Sequence, residues 1–394
     1  VNFGQDSSFA GNETAQGNAD GNGIGDFYYA PPSGFLALCT SNLPDPVEAI
    51  DPNKGGSPQD YFNTVLYTGN GSTQSISGVG FQPDFVWVKQ RNDTGWHNLA
   101  DSVRGTGKRL YSNETNAEHN SVNNLSSFDS DGFSVGTEND YSKNNINFAS
   151  WNWKAGTSFS NDASSTSVGS LDSSGTVNTD VGFSIIKWTA VGSSATQTIA
   201  HGLGAVPKMI IMKNRERAVD WAVYHESLGN THGMSLNAGS ASSGDIGWWN
   251  NTTPTSTVFT TGNGNGYRTG GVAEDYIAYC FAEVDGYSKI SSYIGNENND
   301  GAFVYTGFRP AFILIKKLAA GDWGIYDSKR LGFNEENAVL YPAEGIAEEN
   351  QASRRIDLLS NGFKLRTTNV TFNDDSETIY MAFAEQPFKY ANAR

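Results

Sequence analysis

One short phrase recurs three times along the chain and constrains its fold more than any other feature. Residues 80–90 read GFQPDFVWVKQ, residues 203–214 read LGAVPKMIIMKN and residues 307–317 read GFRPAFILIKK. Each copy has a proline and, six positions later, a lysine: Pro83 and Lys89, Pro207 and Lys213, Pro310 and Lys316. The unbroken apolar run between them predicts a central strand that is buried on both faces. A proline at the first position of such a strand costs no ladder hydrogen bond.

The phrase anchors a longer alignment with a period of about 100 residues, too long for a solenoid repeat or a propeller blade. In each copy a strand-like segment precedes the phrase, and a Phe-centred strand and an aromatic-rich strand follow it. The closing strands read FASWNWKA at 148–155, YIAYCFAE at 276–283 and IYMAFAE at 379–385. The alignment predicts that Phe85, Ile210 and Phe312 are core residues of their copies.

The composition favours short strands joined by many turns, with 44 glycines, 12% aromatic residues and no helix-length amphipathic segment. We therefore predict an all-β fold of tandem antiparallel β-sandwich domains in three internal repeats. The predicted boundaries are 1–57 for the end of a preceding lectin-like domain with its exit linker, 58–156 for repeat 1, 157–180 for a flexible Ser/Thr/Gly linker, 181–286 for repeat 2 and 287–394 for repeat 3.

The formal net charge of −16 excludes a basic, nucleic-acid-binding face. The sequence shows no membrane-spanning segment, so membrane insertion is not expected. Cys39 and Cys280 lie far apart in the sequence, and two free thiols are expected rather than a disulfide framework.

The repeated positions allow two interpretations. The lysines that end the phrases are expected to be solvated strand ends, with repeated ligand-binding charges as the alternative. A tryptophan follows each phrase, at Trp96, Trp221 and Trp323. These rings are expected to be core wedges, and sugar-stacking platforms are the alternative.

Two stretches are candidate binding sites. In NADGNGIGD at 18–26, the residues Asn18, Asp20, Asn22 and Asp26 alternate with glycines as oxygen ligands do in calcium loops, although ordinary Asn-Asp-Gly turns have the same composition. Trp248 and Trp249 are adjacent in a Gly- and Thr-flanked loop, so one ring is a candidate contact for a ligand or partner. Packing between domains is the alternative for the two rings.

No motif for catalysis, for zinc or for a nucleotide cofactor has usable spacing. A glycosidase carboxylate pair cannot be identified among the many acidic residues. We therefore expect no enzymatic activity and no cofactor other than calcium at the candidate loop.

The strings FGQDSSFAG and DFYYAPPSGFLALCTSNLP resemble the end of a SPRY-like, concanavalin-type domain in large structural proteins of marine and cyanobacterial tailed phages. The strings HGLGAVPKMIIMKN, YIAYCFAEVDGYSK, VYTGFRPAFILIKK, LSNGFKLRTTN and FAEQPFKYANAR resemble the repeated modules that follow that domain. The resemblance covers nearly the whole chain. It implies a location in the virion and supplies no catalytic residues.

The expected function is therefore that of a surface-exposed fibre or appendage protein of a phage virion, with a role in host attachment. A capsid-decorating or head-fibre protein and a secreted carbohydrate-binding module are the alternatives. Expected partners are other virion proteins, further copies in a homo-oligomer (a trimer above all) and a host-surface glycan or protein. The particle is extracellular and is assembled in the host cytoplasm.

Overall fold

The computed structural model describes residues 3–192, 196–262, 266 and 268–391. The chain forms two compact units, residues 1–46 and Val47–Arg394. Every pairing between the strands named below is antiparallel, and each of the three α-helices in the described residues is a single turn. The all-β fold class is thus confirmed. In the described part of the chain no helix is long and apolar enough to cross a membrane.

Repeat 1 is a sandwich of a larger and a smaller sheet. Its strands are β1 (Phe62–Thr68), β2 (Gln74–Ser77), β3 (Phe85–Gln90), β4 (Asn98–Asp101), β5 (Lys108–Tyr111), β6 (His119–Asn120), β7 (Leu125–Asp129), β8 (Gly132–Val135) and β9 (Asn147–Trp153), with helix α1 (Asn139–Ser142) before β9. The larger sheet has the order β1-β9-β3-β4-β5-β6 and the smaller one β2-β8-β7.

Repeat 2 has a larger sheet that begins earlier in the sequence than predicted. Its elements are β10 (Thr157–Asn161), α2 (Ala163–Thr166), β11 (Ser173–Asn178), β12 (Phe183–Thr189), β13 (Gln197–Ala200), β14 (Met209–Asn214), β15 (Ala222–His225), β16 (His232–Gly233), β17 (Ser243–Gly244), α3 (Ile246–Trp249), β18 (Val258–Thr261) and β19 (Asp275–Phe281). The sheets have the orders β10-β11-β12-β19-β14-β15, β13-β18 and β16-β17. The prediction of a flexible linker at 157–180 was wrong, because β10 and β11 form a hairpin that extends the larger sheet.

Repeat 3 has fewer strands in its larger sheet than repeats 1 and 2 have in theirs. Its strands are β20 (Ser288–Ile294), β21 (Phe303–Tyr305), β22 (Phe308–Lys317), β23 (Trp323–Asp327), β24 (Ala338–Val339), β25 (Glu349–Asn350), β26 (Ile356–Leu359), β27 (Gly362–Leu365) and β28 (Glu377–Pro387). The sheets have the orders β20-β28-β22-β23, β21-β27-β26 and β24-β25. Short 3-10 turns lie at Thr40–Asn42, Glu48–Ile50, Pro52–Lys54, Pro58–Asp60, Glu226–Leu228, Ala352–Arg354 and Phe388–Tyr390.

The same four-strand order recurs in the three larger sheets: β1-β9-β3-β4, β12-β19-β14-β15 and β20-β28-β22-β23. The phrase strands β3, β14 and β22 are interior strands in all three, each paired with the closing aromatic strand on one side. Pro83 and Pro207 precede their strands, whereas Pro310 lies inside β22 at a register shift, where a missing N–H is tolerated.

The phrases are unbroken apolar runs because alternate residues enter two different cores. Phe85 and Trp87 of β3 face a core shared by all three repeats, while Val86 and Val88 face the core of repeat 1 alone. The same alternation holds in β14 and β22. The three segments therefore form one compact unit around a common centre, in addition to their own small cores.

Three aromatic rings from the closing strands meet in the shared core. Trp153, Phe281 and Phe383 occupy equivalent positions, since they pair with Phe85, Met209 and Phe312 of the phrase strands. Their ring centroids are 5.7 to 6.5 Å apart. Aromatic pairs at this separation contribute about 0.5–1.5 kcal/mol each beyond their burial.

The predicted core residues Phe85, Ile210 and Phe312 are all at most 1% exposed. Phe85 and Phe312 belong to the shared core, and Ile210 belongs to the core of repeat 2. Their assignment to core positions is confirmed.

The N-terminal unit contains little regular structure in its described residues. Residues 3–13 form turns and bends, and the β pairing of these residues is an isolated bridge between Asn18 and Phe27. Cys39 in this unit and Cys280 in β19 are both free, as expected.

Candidate functional site

The three lysines that end the phrases are buried, so their prediction as solvated strand ends was wrong. Lys89, Lys213 and Lys316 are each 0% exposed. Each Nζ folds back and donates to the carbonyl of the next residue, to Gln90 O at 2.7 Å, Asn214 O at 2.9 Å and Lys317 O at 2.6 Å. Lys213 and Lys316 also donate to carbonyls further into the turn, Arg217 O at 3.0 Å and Ala319 O at 2.9 Å.

Burial lowers the pKa of these amines to about 8 for Lys89, about 7 for Lys213 and about 8 for Lys316. Buried amines bonded to turn carbonyls satisfy acceptors that would otherwise cost free energy. The geometry gives the lysines a structural role at the ends of the phrase strands and leaves no room for a ligand-binding one.

The tryptophans after the phrases join neighbouring repeats. Trp221 Nε1 donates to Tyr111 O of repeat 1 at 2.8 Å, and Trp323 Nε1 donates to Ser235 O of repeat 2 at 3.0 Å. Both rings are buried, as expected for core wedges. They are not sugar platforms.

Trp96 does not share this role and is 38% exposed. The β3–β4 register ends at Val88 and Asn98, so His97 is the residue that precedes the last pair, at the position that Trp323 occupies opposite Lys316 in repeat 3. His97 is fully buried, its Nδ1 accepts from Trp87 Nε1 at 2.9 Å, and burial holds its pKa well below the usual value. The sequence alignment missed this histidine because the neighbouring tryptophan is shifted by one residue.

Each pair of repeats meets at an equivalent backbone hydrogen bond. Glu118 N donates to Arg215 O at 2.7 Å between repeats 1 and 2, and Glu348 N donates to Arg91 O at 2.6 Å between repeats 3 and 1. Ser242 N donates to Leu318 O at 2.8 Å between repeats 2 and 3. We call these contacts junctions 1–2, 3–1 and 2–3. Because every repeat contacts both others, the three repeats close into a ring.

Junctions 1–2 and 3–1 each contain a carboxylate between two arginines. At junction 1–2, Glu118 accepts from Arg215 Nε and Nη2 at 3.0 Å each and from Arg104 Nη1 at 3.4 Å. Arg104 also forms a fully buried ion pair with Asp101, whose carboxylate accepts from Tyr279 OH of repeat 2 at 2.7 Å.

At junction 3–1, Glu348 accepts from Arg91 Nη2 at 2.9 Å and Nε at 3.0 Å, and from Arg330 Nη1 at 3.0 Å. Arg330 is paired in turn with buried Asp327, which accepts from Trp151 Nε1 of repeat 1 at 3.0 Å. The two junctions thus have the same arrangement of charges.

Junction 2–3 has the same backbone contact without the charges. Leu318 stands where the other junctions have Arg91 and Arg215, and Ser242 stands where they have a glutamate. His225, at the position of Asp101 and Asp327, bonds to Tyr380 O at 3.2 Å, and burial lowers its pKa to about 4.

Trp248 and Trp249 are not available to a ligand. Both lie in helix α3, are 1% exposed and belong to the core of repeat 2. Trp248 Nε1 donates to Ser243 Oγ at 3.2 Å, and Trp249 Nε1 donates to His232 O at 3.0 Å. The prediction of a contact site was wrong, and so was the alternative of packing between repeats 2 and 3.

In the candidate calcium loop the central carboxylate is bonded to N–H groups of the chain, and the calcium site itself stays a prediction. Asp20 accepts N–H bonds from Asn22, Ile24, Ala37 and the Asn42 side chain, at 2.7 to 2.9 Å. These donors lower its pKa to about 2 even though partial desolvation opposes the shift. The side-chain amides of Asn18 and Asn22 donate within the unit, and Asp26 accepts from Ser7 N at 3.0 Å. These hydrogen bonds are those of an Asn-Asp-Gly turn, the alternative interpretation of this loop.

A second acidic cluster could hold a metal by distance alone. The carboxylates of Glu297, Asp374 and Asp375 lie within 4.8 Å of one another. Asp374 already accepts from Lys317 Nζ at 3.0 Å, and this bond lowers its pKa. The cluster is therefore explained as part of a surface ion pair.

A polar cleft lies on the larger sheet of repeat 2, beside the β10–β11 hairpin. It has a volume of about 390 Å³ and is lined by Asp162 and Asp172 from the hairpin, Lys187 and Thr189 from β12, and Arg215 and Asp275 at the far side. Sequence reasoning missed it because its walls belong to the segment that was interpreted as a linker.

The comparisons with known proteins identify a family without a characterised activity. Residues 57–387 match the model of a domain of unknown function, DUF7483. The chain belongs to this family. No curated protein and no solved structure matches the chain.

The DUF7483 region begins after the N-terminal unit and contains all three repeats together with the β10–β11 hairpin. One family model thus spans the whole ring, including its three junctions and the cleft of repeat 2.

Proposed function

We propose that this DUF7483 chain is a structural, surface-exposed component of a tailed-phage virion that contributes to host attachment and has no catalytic activity. The observation that carries the proposal is the closed ring of three repeats around Trp153, Phe281 and Phe383. In this ring each repeat is held by contacts to both others. Such a body suits a particle that must survive outside the cell.

The chemistry of the described residues agrees with a role without turnover. The buried titratable groups at the junctions are engaged in ion pairs or in bonds to backbone carbonyls. A general acid or base needs a pKa near the working pH and access to substrate. Lys213 meets the first condition and, because it is fully buried, fails the second.

The resemblance to repeated modules of marine and cyanobacterial phage proteins supplies the biological setting of the proposal. In that setting the chain assembles with other virion proteins and with further copies of itself, a trimer being favoured. Several copies on one particle multiply weak contacts, and joining weak sites raises apparent affinity by about 10²–10⁴ without any new contact.

Detection of the chain in purified particles tests the proposal. Antibodies against residues 47–394 and gold-labelled electron microscopy are expected to mark intact particles of the phage that encodes the chain. Label on fibres supports the appendage role, and label on the head supports the capsid-decorating alternative. Absence of the chain from washed particles, or a cellular coding genome, would overturn the proposal.

A carbohydrate-binding module is the second candidate function, and the polar cleft of repeat 2 favours it. The cleft is the size of a small ligand site and is lined by groups that hydrogen-bond to hydroxyls. Binding to glycans by a protein that is absent from particles would favour this candidate over the first.

A further inference from the structure

We propose that the cleft beside the β10–β11 hairpin of repeat 2 binds a short, neutral oligosaccharide. The inference deepens the attachment part of the proposed function by naming a ligand class and its site. Its biological meaning rests on the proposed function. The binding itself does not, because it is measured on the isolated chain.

The cleft residues share one face of the larger sheet of repeat 2. Ser160 pairs with Ser174, and Ser174 pairs with Lys187, so these three side chains lie side by side on adjacent strands. Two residues further along, Thr189 pairs with Asp275, and Arg215, the residue after β14, donates its N–H to Asp275 O at 2.9 Å. On the same face of β12, two residues before Lys187, Ile185 belongs to the core shared by the three repeats. The cleft is thus the polar continuation of a rigid, half-buried sheet.

The described parts of the other two repeats lack the hairpin that forms one wall of this cleft. Their first strands, β1 and β20, are the outermost strands of their sheets, whereas β12 is bordered by the hairpin. The register places Leu66 of repeat 1 and Ser292 of repeat 3 at the position of Lys187. Repeat 2 alone has both the wall and the cation. The hairpin packs on the core of repeat 2 through Val177, but none of the three junction hydrogen bonds lies in it, so its polar outer face is free for a ligand.

The carboxylates of the hairpin are held in place by their own backbone. Asp162 accepts from Ser164 N at 3.0 Å and from Ser165 N at 3.2 Å at the start of helix α2. Asp172 accepts from Ala163 N at 2.9 Å. The hydrogen bond from the Ser164 hydroxyl is the largest of several that lower the pKa of Asp162, which stays an ionised acceptor at neutral pH. Both carboxylates retain oxygen lone pairs for a ligand.

The opposite wall is equally fixed. Thr189 Oγ1 donates to Asp275 Oδ1 at 2.7 Å, and Arg215 lies 3.4 Å from Asp275 Oδ2 while it also binds Glu118 of junction 1–2. The walls are therefore set before a ligand arrives, which lowers the entropic cost of binding.

Hydrogen-bonding capacity remains on the floor of the cleft. Lys187 is exposed, and within the described part of the chain its ammonium group has no hydrogen bond or ion pair; the hydroxyls of Ser160 and Ser174 have none either. The ammonium of Lys187 and the two serine hydroxyls lie beside the carboxylates of Asp162 and Asp172. Together they offer both hydrogen-bond donors and acceptors to a ligand. Adjacent sugar hydroxyls, each both donor and acceptor, match that pattern.

The charge balance selects a neutral ligand. Three carboxylates, those of Asp162, Asp172 and Asp275, face two cations, and one of these cations, Arg215, is already shared with Glu118. An anionic glycan or a free phosphate would meet net repulsion here. The volume of about 390 Å³ is near the lower end of the range for ligand sites, about 300–1,000 Å³, so a short segment fits.

Binding is expected to be weak, because the aromatic ring of the lining, Trp188, is 4% exposed and offers little surface for stacking. The affinity of one cleft is on the order of 1 mM, or about −4 kcal/mol. Saturation-transfer difference NMR suits this range. The full chain is titrated with maltohexaose, cellohexaose and mannohexaose as neutral probes, and with hexagalacturonate as the acidic probe.

We expect at least one neutral probe to bind saturably and hexagalacturonate to bind less well. Lys187→Ala and Asp172→Asn are each expected to weaken that binding about tenfold, which corresponds to about 1.4 kcal/mol. The matched control is Lys329→Ala, which removes another exposed lysine, in repeat 3, and should leave binding unchanged. Both cleft residues are exposed, so melting temperatures should match that of the parent chain.

Three results would overturn the inference: no saturable binding of any neutral probe, stronger binding of hexagalacturonate, or binding unaffected by both cleft variants. A chain that binds a neutral probe in the cleft but is missing from particles leaves the inference intact and removes the virion role. A chain that is found in particles but binds no neutral probe leaves the virion role intact and overturns the inference.

Discussion

Junctions 1–2 and 2–3 join equivalent surfaces by the same backbone bond and fill them with opposite chemistry. Junction 1–2 places Glu118 between Arg104 and Arg215, whereas junction 2–3 has Ser242 and Leu318 at the corresponding positions. The geometry of the ring is therefore set by strand order and backbone contacts. Either charged or uncharged side chains can occupy the space at a junction. This agrees with the general observation that buried ion pairs are often replaceable by apolar packing.

The largest expected effect comes from removing one member of a charged junction. Glu118→Ala or Glu348→Ala leaves two largely buried guanidinium groups without their shared carboxylate, at a cost of about 3–5 kcal/mol in the free energy of unfolding. Ser242→Ala is the matched control at junction 2–3 and should change that free energy by less than about 0.5 kcal/mol. Denaturant titration measures both. Equal effects at the two junctions would contradict the comparison.

The charged junctions also predict the response to acid. The pKa values of Glu118 and Glu348 are lowered in the folded chain although desolvation opposes the shift, because the arginines stabilise the carboxylates. A lowered pKa adds stability that is present above the unfolded value, about 4.3, and is lost as the pH falls through the folded value. Melting temperatures measured from pH 6 to pH 3 should therefore fall more steeply for the parent chain than for Glu118→Gln.

Core substitutions test whether the ring unfolds as one body. Phe312→Ala opens a cavity in the core shared by the repeats, and Ile210→Ala opens one in the core of repeat 2. Each is expected to cost about 2–5 kcal/mol through lost burial and the cavity. Calorimetry should show a single transition shifted by either substitution. A separate early transition in Ile210→Ala alone would mean that repeat 2 unfolds independently of the junctions.

A smaller effect is expected at the buried lysines. Lys213→Met leaves the carbonyls of Asn214 and Arg217 without their donor, at a cost of about 1–3 kcal/mol above pH 9. The folded pKa of Lys213, about 7, lies below the unfolded value of about 10.4, so between them the unfolded chain binds the extra proton and the stability of the parent rises with pH. In Lys213→Met the free energy of unfolding should rise less steeply with pH. The difference in slope is at most about 1.4 kcal/mol per pH unit.

The smallest effect is expected when junction 1–2 is rebuilt with the residues of junction 2–3. The combination Asp101→His, Arg104→Leu, Glu118→Ser and Arg215→Leu removes these four charged groups together and supplies the uncharged side chains of junction 2–3. It should unfold within about 1.5 kcal/mol of the parent chain, far closer than Glu118→Ala alone. A loss as large as that of the single substitution would show that the two fillings are not interchangeable.

The phrase alone was enough to predict the interior strands and the core positions, because an apolar run bounded by Pro and Lys has few other solutions. The burial of Lys89 was not predictable from the same run, because a lysine at a strand end is usually solvated. Its burial depends on the fold of the following turn, onto whose carbonyl the side chain folds back. Trp248 and Trp249 were misjudged because a one-turn helix can direct adjacent rings into one core, where Gly233 makes room for Trp248.

The charged junctions leave a trace in the sequence, at the residues that follow the three phrases. The phrases continue as KQR, KNR and KKL, so Arg91, Arg215 and Leu318 stand at matching positions. The glutamate partners of Arg91 and Arg215 lie 257 and 97 residues away in the sequence, beyond the reach of any local spacing rule, and only the closed ring brings them together. The polar β10–β11 hairpin was missed for a related reason, because its strands lack the apolar alternation that marks a strand.

Closure of the ring by its first and last repeats has a consequence for the order of events during synthesis. Trp151 of repeat 1 packs against Phe312, and its indole bonds to Asp327, both of repeat 3. While the ribosome is still making repeat 2, this aromatic surface has no cover. A growing chain can complete each small core as its repeat emerges, but the common centre must wait for the final hundred residues. Translation speed and chaperone access are therefore expected to govern the yield of this protein more than its final stability does.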